Sequence, residues 1–235
     1  MNITIYTITF NEELLIQFMI DHYRSRFPDC HIIVYDNSST DKTVEISKAN
    51  GCEVRTYDSG NTLDDGLHMY IKNTCWKDAK TEWVLMCDLD EMLDINFQEL
   101  YNEQNAGSTI IRTEAWSLIN MEDNYDLKNM KYGFRHPMYD KSILFNKNHI
   151  NEINYGAGCH DCNPIGNVNY SNKLYKIYHY KYININLIIE KCKLTANRLS
   201  VANKKNNWGN QCLRSEKNIR EDFENVKIKS IKILQ

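Results

Sequence analysis

No apolar run in this chain is long enough to span a bilayer. The N-terminus lacks the charged, apolar and small-residue layout of a signal peptide, and Met1 leads straight into a strand-like segment. A soluble, cytoplasmic protein is therefore expected. No charge of one sign dominates. A net charge of −3, from 28 basic and 31 acidic residues, gives no electrostatic reason to expect a nucleic-acid partner. Repeats and low-complexity linkers are missing too. The eight cysteines, at positions 30, 52, 75, 87, 159, 162, 192 and 212, are scattered and do not form the framework of a small disulfide scaffold. They suit a reducing compartment.

What remains is an ordinary globular composition, 42% hydrophobic and 25% charged, in a chain of 235 residues, long enough for one large domain or two small ones. Fifteen tyrosines supply surfaces for packing and for stacking on sugars or bases. The chain is organised around residues 83–91, Trp-Val-Leu-Met-Cys-Asp-Leu-Asp-Glu. The apolar part has the pattern of a strand buried on both faces. Unpaired buried carboxylates are very costly, so Asp88, Asp90 and Glu91 belong at the strand's carboxyl end, where open α/β sheets bind ligands. On a continuing strand Asp88 and Asp90 share a face. Two hard oxygen donors there suit a divalent cation that also takes substrate phosphates. The plainer alternative is a strand end with solvated acids, where Asp90 or Glu91 starts a helix.

Residues 2–10 are β-branched and aromatic, a first strand. Asn11 is a plausible cap for a helix whose apolar positions run Leu14, Leu15, Phe18, Met19. A second strand at 31–35 runs into the polar loop Asp36-Asn37-Ser38-Ser39-Thr40-Asp41, with Thr40 or Asp41 placed to cap a helix over 42–50. A third strand covers 52–57, and a helix covers about 66–77. Alternation with short links predicts a doubly wound, mostly parallel sheet flanked by helices. The loops after three of its strands then share one edge, and three polar clusters converging there point to a ligand site.

Three segments carry a family likeness: Thr-Ile-Thr-Phe-Asn-Glu-Glu (7–13), Tyr-Asp-Asn-Ser-Ser-Thr-Asp-Lys-Thr (35–43) and Cys-Asp-Leu-Asp-Glu (87–91). In order and spacing they resemble the nucleotide-sugar half of GT-A fold glycosyltransferases of the family-2 type, over roughly residues 3–95. The resemblance implies a Rossmann-like single domain. It implies that Thr7, Asn11 and Glu12 sit at the base pocket and that Asp36, Asn37 and Ser39 line base and ribose. It further implies that Asp88 and Asp90 form a DXD motif holding Mn²⁺ or Mg²⁺ on the diphosphate. Many relatives have Asp-Asp-Gly-Ser where this chain has Asp36-Asn37-Ser38-Ser39, so a charged contact to the base at position 37 is missing.

The second half is expected to build the acceptor pocket. Its base has several candidates: Glu114, Glu122, Asp123 and Asp140, with Glu114 and Asp140 placed beside Asp90 in the expected catalytic set. Each also fits a solvated surface acid. Lys141, ahead of an apolar strand, fits a snorkelling surface lysine, although by resemblance it could neutralise phosphate. In Tyr155-Gly-Ala-Gly-Cys159-His160-Asp161-Cys162 the glycines allow close backbone approach. His160 is a candidate to complete the metal shell. Zinc is the rival reading of this cluster, but a structural zinc site commonly needs a second ligand pair, and none is in sight. Residues 174–181 alternate like a strand ending in His179-Tyr180, a pair that closes the core sheet in some GT-A relatives. His179 is thus a second candidate metal ligand. A helix should follow over 185–203, and a polar, partly helical tail over 204–235 should pack on the core or on a partner.

The resulting expectation has a GT-A domain over 1–203, divided into a nucleotide-sugar half (1–95) and an acceptor half (96–203), with a C-terminal extension at 204–235. It would move a sugar from a nucleoside diphosphate sugar, UDP by resemblance, to a hydroxyl of a glycan, lipid or protein, with inversion also by resemblance. Homo-oligomerisation stays open. Two rivals are a nucleotidyltransferase and a non-catalytic binding module. The first lacks its usual Gly-rich basic loop, since Asn11-Glu12-Glu13 stands there. Against the second stand the intact Asp88 and Asp90.

Overall fold

Alternating side chains of the first strand bury themselves on opposite faces of the sheet, and that places it at the centre. The computed structural model describes residues 2–122 and 124–234. Its first half runs β1 (Ile3–Thr9), α1 (Glu13–Arg26), β2 (His31–Asp36), α2 (Thr43–Ala49), β3 (Glu53–Thr56), α3 (Asp65–Thr74) and β4 (Trp83–Met86). β1 lies between β2 and β4, with β3 outside β2, and every pairing here is parallel. Ile3 and Ile5 of β1 pack in one core with Leu15, Ile16, Met19, Ile20 and Tyr23 of α1. Tyr6 packs on the opposite face with Ile71, Trp76, Val84 and Met86. Cover on both faces explains the unbroken apolar run of β4.

The second half runs β5 (Glu91–Asp94), α4 (Phe97–Asn105), β6 (Ile110–Ile119), β7 (Tyr132–Arg135), β8 (Leu144–Asn146), β9 (Ile150–Glu152), β10 (Ile165–Gly166), β11 (Tyr170–Tyr182), α5 (Ile185–Arg198), α6 (Val201–Asn206), α7 (Glu216–Lys229) and β12 (Ile231–Lys232). β8 extends the sheet antiparallel to β4, followed by β6, β7 and β12. The long β11 pairs parallel with β6 and antiparallel with β5. The α/β class and the parallel central sheet hold, with an antiparallel flank added by the second half.

Three local expectations change. β4 stops at Met86, and the chain turns through 87–90 with Glu91 N–H donating to Asp88 O at 2.9 Å. Glu91 therefore opens β5 and is buried; it starts no helix. The helix expected over 185–203 is broken at Leu199–Ser200, where the backbone bonds to Leu63 from both sides and the Ser200 hydroxyl caps α6. α6 runs through position 203. The tail packs on the core: Ile219, Phe223 and Val226 of α7 bury against Ile119 and Tyr182, and β12 pairs with β7.

Candidate active site

Two loops at the carboxyl edge are tied to one another. Asn11 takes a left-handed backbone (φ 53°), a conformation that asparagine tolerates better than most residues. It does not cap α1. Its N–H donates to Ser39 Oγ at 2.9 Å, and its Oδ1 accepts from Thr40 N–H at 2.8 Å. The free N–H groups at the start of α1 go to the other loop, Glu12 to Thr43 Oγ1 at 2.7 Å and Glu13 to Asp41 Oδ2 at 3.0 Å. Asp36 is buried and accepts from Ser39 N–H at 3.0 Å. Asn37 bonds to Ser59 and to Thr62 O. Thr7 is buried under this edge with its hydroxyl unpartnered among the described residues.

The acidic turn is held by lysines. Continuing the antiparallel register Leu85↔Leu144 by three residues on each side sets Lys141 opposite Asp88. Lys141 Nζ donates to Asp88 Oδ2 at 2.8 Å and to Glu91 Oε1 at 2.6 Å. Lys72 of α3 donates to Asp88 Oδ1 at 2.5 Å. The Lys141 and Glu91 side chains are each 1% exposed, so the surface role expected of Lys141 is wrong. The segment that leads into β8 passes beside Asp88 and carries the lysine inward. Burial alone would raise the Asp88 pKa, but Lys141 and Lys72 outweigh it and hold the carboxyl well below its usual range. Glu91 is raised by burial, against the pull of Lys141.

Asp90 has a different partner. The β5–β11 register pairs Glu91 with His179, which brings His179 Nε2 to 3.2 Å from Asp90 Oδ2. Burial opposes ionisation of Asp90, but His179 outweighs it and lowers the pKa to about 2. The Asp88 and Asp90 side chains keep 35% and 32% exposure. Both reach a cavity of about 300 Å³ that is also lined by Tyr139, His160, His179 and Lys191 and runs on between α5 and α7 past Leu187, Ile219 and Phe223. A second cavity, of about 190 Å³, is lined by Asn11, Glu12, Asn37, Tyr57, His68 and Arg198. Lys191 lines both cavities and pairs with Glu12 at 2.7 Å.

The structure does not bring every candidate to these cavities. Asp140 turns to Arg135 at 2.5 Å and to Ala115 N–H at 2.7 Å, while Glu114 accepts from the Trp116 indole at 3.5 Å. Neither lines the cavity of Asp88 and Asp90. Glu122 accepts from the Asn124 side chain, and Asp123 lies outside the described residues. Asp222 of α7 does line the cavity, ion-paired with Arg214 at 3.5 Å. Sequence reasoning missed Asp222, Lys72, Lys191 and Arg198, because nothing local marks a residue delivered from a distant helix. Asp36 and Ser39 stabilise the loop and do not line the second cavity. Cys159 is buried in apolar packing, and His160 Nδ1 bonds to Met138 O at 2.8 Å. Among the described residues no three His, Cys, Asp or Glu side chains form a ready metal cluster, the 159–162 group included.

The donor set around the turn accommodates a hard cation through Asp90, with His179 beside it, the remaining positions left to water and substrate oxygens as Mg²⁺ and Mn²⁺ prefer. Asp88 fits less well as a ligand, since both of its oxygens are engaged by ammonium groups.

A doubly wound sheet with polar loops over its carboxyl edge and paired acids at the next strand end is an α/β fold whose candidate ligand site lies along that edge. The family described as glycosyl transferase family 2 matches residues 4–160, two thirds of the sequence, and the chain belongs to that family. The fold is accordingly the GT-A arrangement. A search of curated proteins found no match. Solved structures similar to it include S. aureus TarS 1–349 in complex with UDP, 17% identical over 84% of this chain and 65% of that one, with a TM-score of 0.49. S. aureus TarS is 16% identical over 97% of this chain and 44% of that one, with a TM-score of 0.49. The Pyrobaculum calidifontis mannosyltransferase PcManGT in complex with GDP-Man and Mn²⁺ is 12% identical over 81% and 61%, with a TM-score of 0.47. This chain thus spans 65% or less of those three. Among its described residues no helix is long and apolar enough to cross a membrane.

Proposed function

We propose that this protein transfers a sugar from a nucleoside diphosphate sugar, a UDP-sugar in the first instance, to an acceptor hydroxyl, with Mn²⁺ or Mg²⁺ and with inversion. Family membership supports the reaction class. The observation that carries the site assignment is the adjacency of the two cavities at Lys191, one lined by the nucleotide-type loops and the other by Asp88, Asp90 and His179. A nucleoside in the smaller cavity would send its diphosphate past Lys191 toward those acids. Asp90 and His179 would hold the cation, which when bound cancels charge on the departing diphosphate. Lys191 would add a fixed positive charge along that path. Lys141 and Lys72 hold the Asp88 turn in one geometry before any ligand arrives. The apolar stretch between α5 and α7 is left for the acceptor or the sugar. Nucleotide release from a panel of UDP-sugars, with Mn²⁺ and with chelator, tests this. Metal-dependent release by the wild type that is lost in Asp90→Asn is expected. Release insensitive to chelator and to that substitution would refute it.

A further inference from the structure

Arg198, the last residue of α5, lies beyond the segment that matches the family. It is 9% exposed, with its guanidinium 3.2 Å from the centroid of the Phe10 ring. Its Nε donates to Asn61 O at 3.3 Å, and its Nη2 is buried without a partner among the described residues. No ion pair with a carboxylate is recorded for it among the described residues. A buried guanidinium without an anion and with an unspent donor is costly, and such donors are kept where something else is to be held. The neighbouring side chains in the smaller cavity are committed. Tyr57 bonds to His68 at 2.8 Å, Asn37 to Ser59 and Thr62, Asn11 to Thr40, and Glu12 to Lys191. Among the described residues lining that cavity, Arg198 holds the buried side-chain donor left unpaired.

Its place along α5 indicates which part of a ligand it meets. Lys191, where the cavities adjoin, precedes it by seven residues, about 10 Å along a helix. If the diphosphate passes Lys191, Arg198 lies at the nucleoside end. Arginine only donates, so it favours a base edge presenting carbonyl oxygens and disfavours one presenting an amino group. Resting on the donor site proposed above, we infer that Arg198 selects the nucleobase of the donor, accepting uracil through O4 or guanine through O6 and discriminating against cytosine and adenine, which carry an amino group at those positions.

Calorimetric titration of the full chain with UDP, GDP, CDP and ADP in the presence of Mn²⁺ tests this. The wild type should bind UDP or GDP about ten- to a hundredfold more tightly than CDP and ADP, the range a good arginine–base contact provides. Arg198→Ala should weaken UDP and GDP by that factor, leave CDP and ADP unchanged and so erase the selectivity. Arg198→Lys keeps a charge without the fork and should lose most of the selectivity too, a check should the alanine variant fold poorly. Equal affinity of the wild type for all four nucleotides would overturn the inference while leaving the donor site standing. So would an equal loss for all four in the variants, which would place the guanidinium on a phosphate. Binding of none of the four would overturn the donor site itself, and this inference with it.

Discussion

Replacing Lys141 with methionine should be among the most damaging single changes to the stability of this fold. Its ammonium sits between Asp88 and Glu91 at 2.8 and 2.6 Å, and both it and Glu91 are 1% exposed. Asp88 keeps Lys72 as a partner, but Glu91 is left with a buried charge, and its Oε2 already has no hydrogen-bond partner among the described residues. Breaking a buried pair in this way costs about 3–5 kcal/mol. At roughly 2–4 °C per kcal/mol for a chain of this size, the midpoint of thermal unfolding should fall by about 6–20 °C. The loss has a pH signature. Burial already raises the Glu91 pKa, and removing Lys141 raises it further. The folded state then holds a proton that the unfolded state releases, so the deficit is full above the folded pKa and shrinks as pH falls toward the ordinary glutamate range. Adding Glu91→Gln should recover much of the loss, a coupling that a double-mutant cycle measures. Lys217→Met, which breaks an exposed helical pair with Glu221, should cost only about 0.5 kcal/mol and serves as the control. A Lys141→Met midpoint within about 2 °C of wild type at pH 8 would refute the buried cluster.

Other substitutions test other parts of the account. Asn11→Ala should destabilise by about 1–3 kcal/mol, losing the bond to Thr40 N–H and straining a positive φ, whereas Asn11→Gly should cost less; equal effects in denaturant titrations would argue against the conformational part. Glu114→Gln and Asp140→Asn lie outside the cavity of Asp88 and Asp90, so both should keep the wild-type thermal response to nucleotide; loss of that response in either would move the site. Cys192, whose thiol is held below its ordinary range by a hydrogen bond from Cys212, should alkylate faster at pH 7 than Cys30, which burial raises to about 11. Peptide mapping after brief iodoacetamide treatment would show this, and faster labelling of Cys30 would contradict it.

The parallel half of the fold was legible because each strand and helix there carries its own local signal. β-branched runs, polar loops and apolar periodicity all point one way over residues 2–86. The convergence of Asn11, Asn37 and the Asp88–Asp90 turn on one edge follows from topology alone, which is why a sequence could show it. Lys141 reads as a surface residue in the sequence because its burial depends on the β4–β8 register, a pairing between residues about sixty apart. The signal was present in outline, since an antiparallel strand beside an acidic turn must set something opposite Asp88. Asn11 reads as a helix cap in the sequence because the same residue type serves both caps and left-handed turns. The contributions of α5 and α7, namely Lys191, Arg198 and Asp222, were out of reach, since a helix face shows which residues are buried but not against what.

Thermal unfolding of the wild type and of Asp90→Ala against UDP, with and without Mn²⁺, tests the central claim most directly. A ligand that binds only the folded state at a hundred times its Kd adds about 2.7 kcal/mol, which is roughly 5–11 °C here. A rise of that size that requires Mn²⁺ and vanishes in Asp90→Ala is the predicted result. No shift with UDP or any other nucleoside diphosphate, or an equal shift in the variant and without metal, would contradict a metal-dependent nucleotide-sugar site at Asp90.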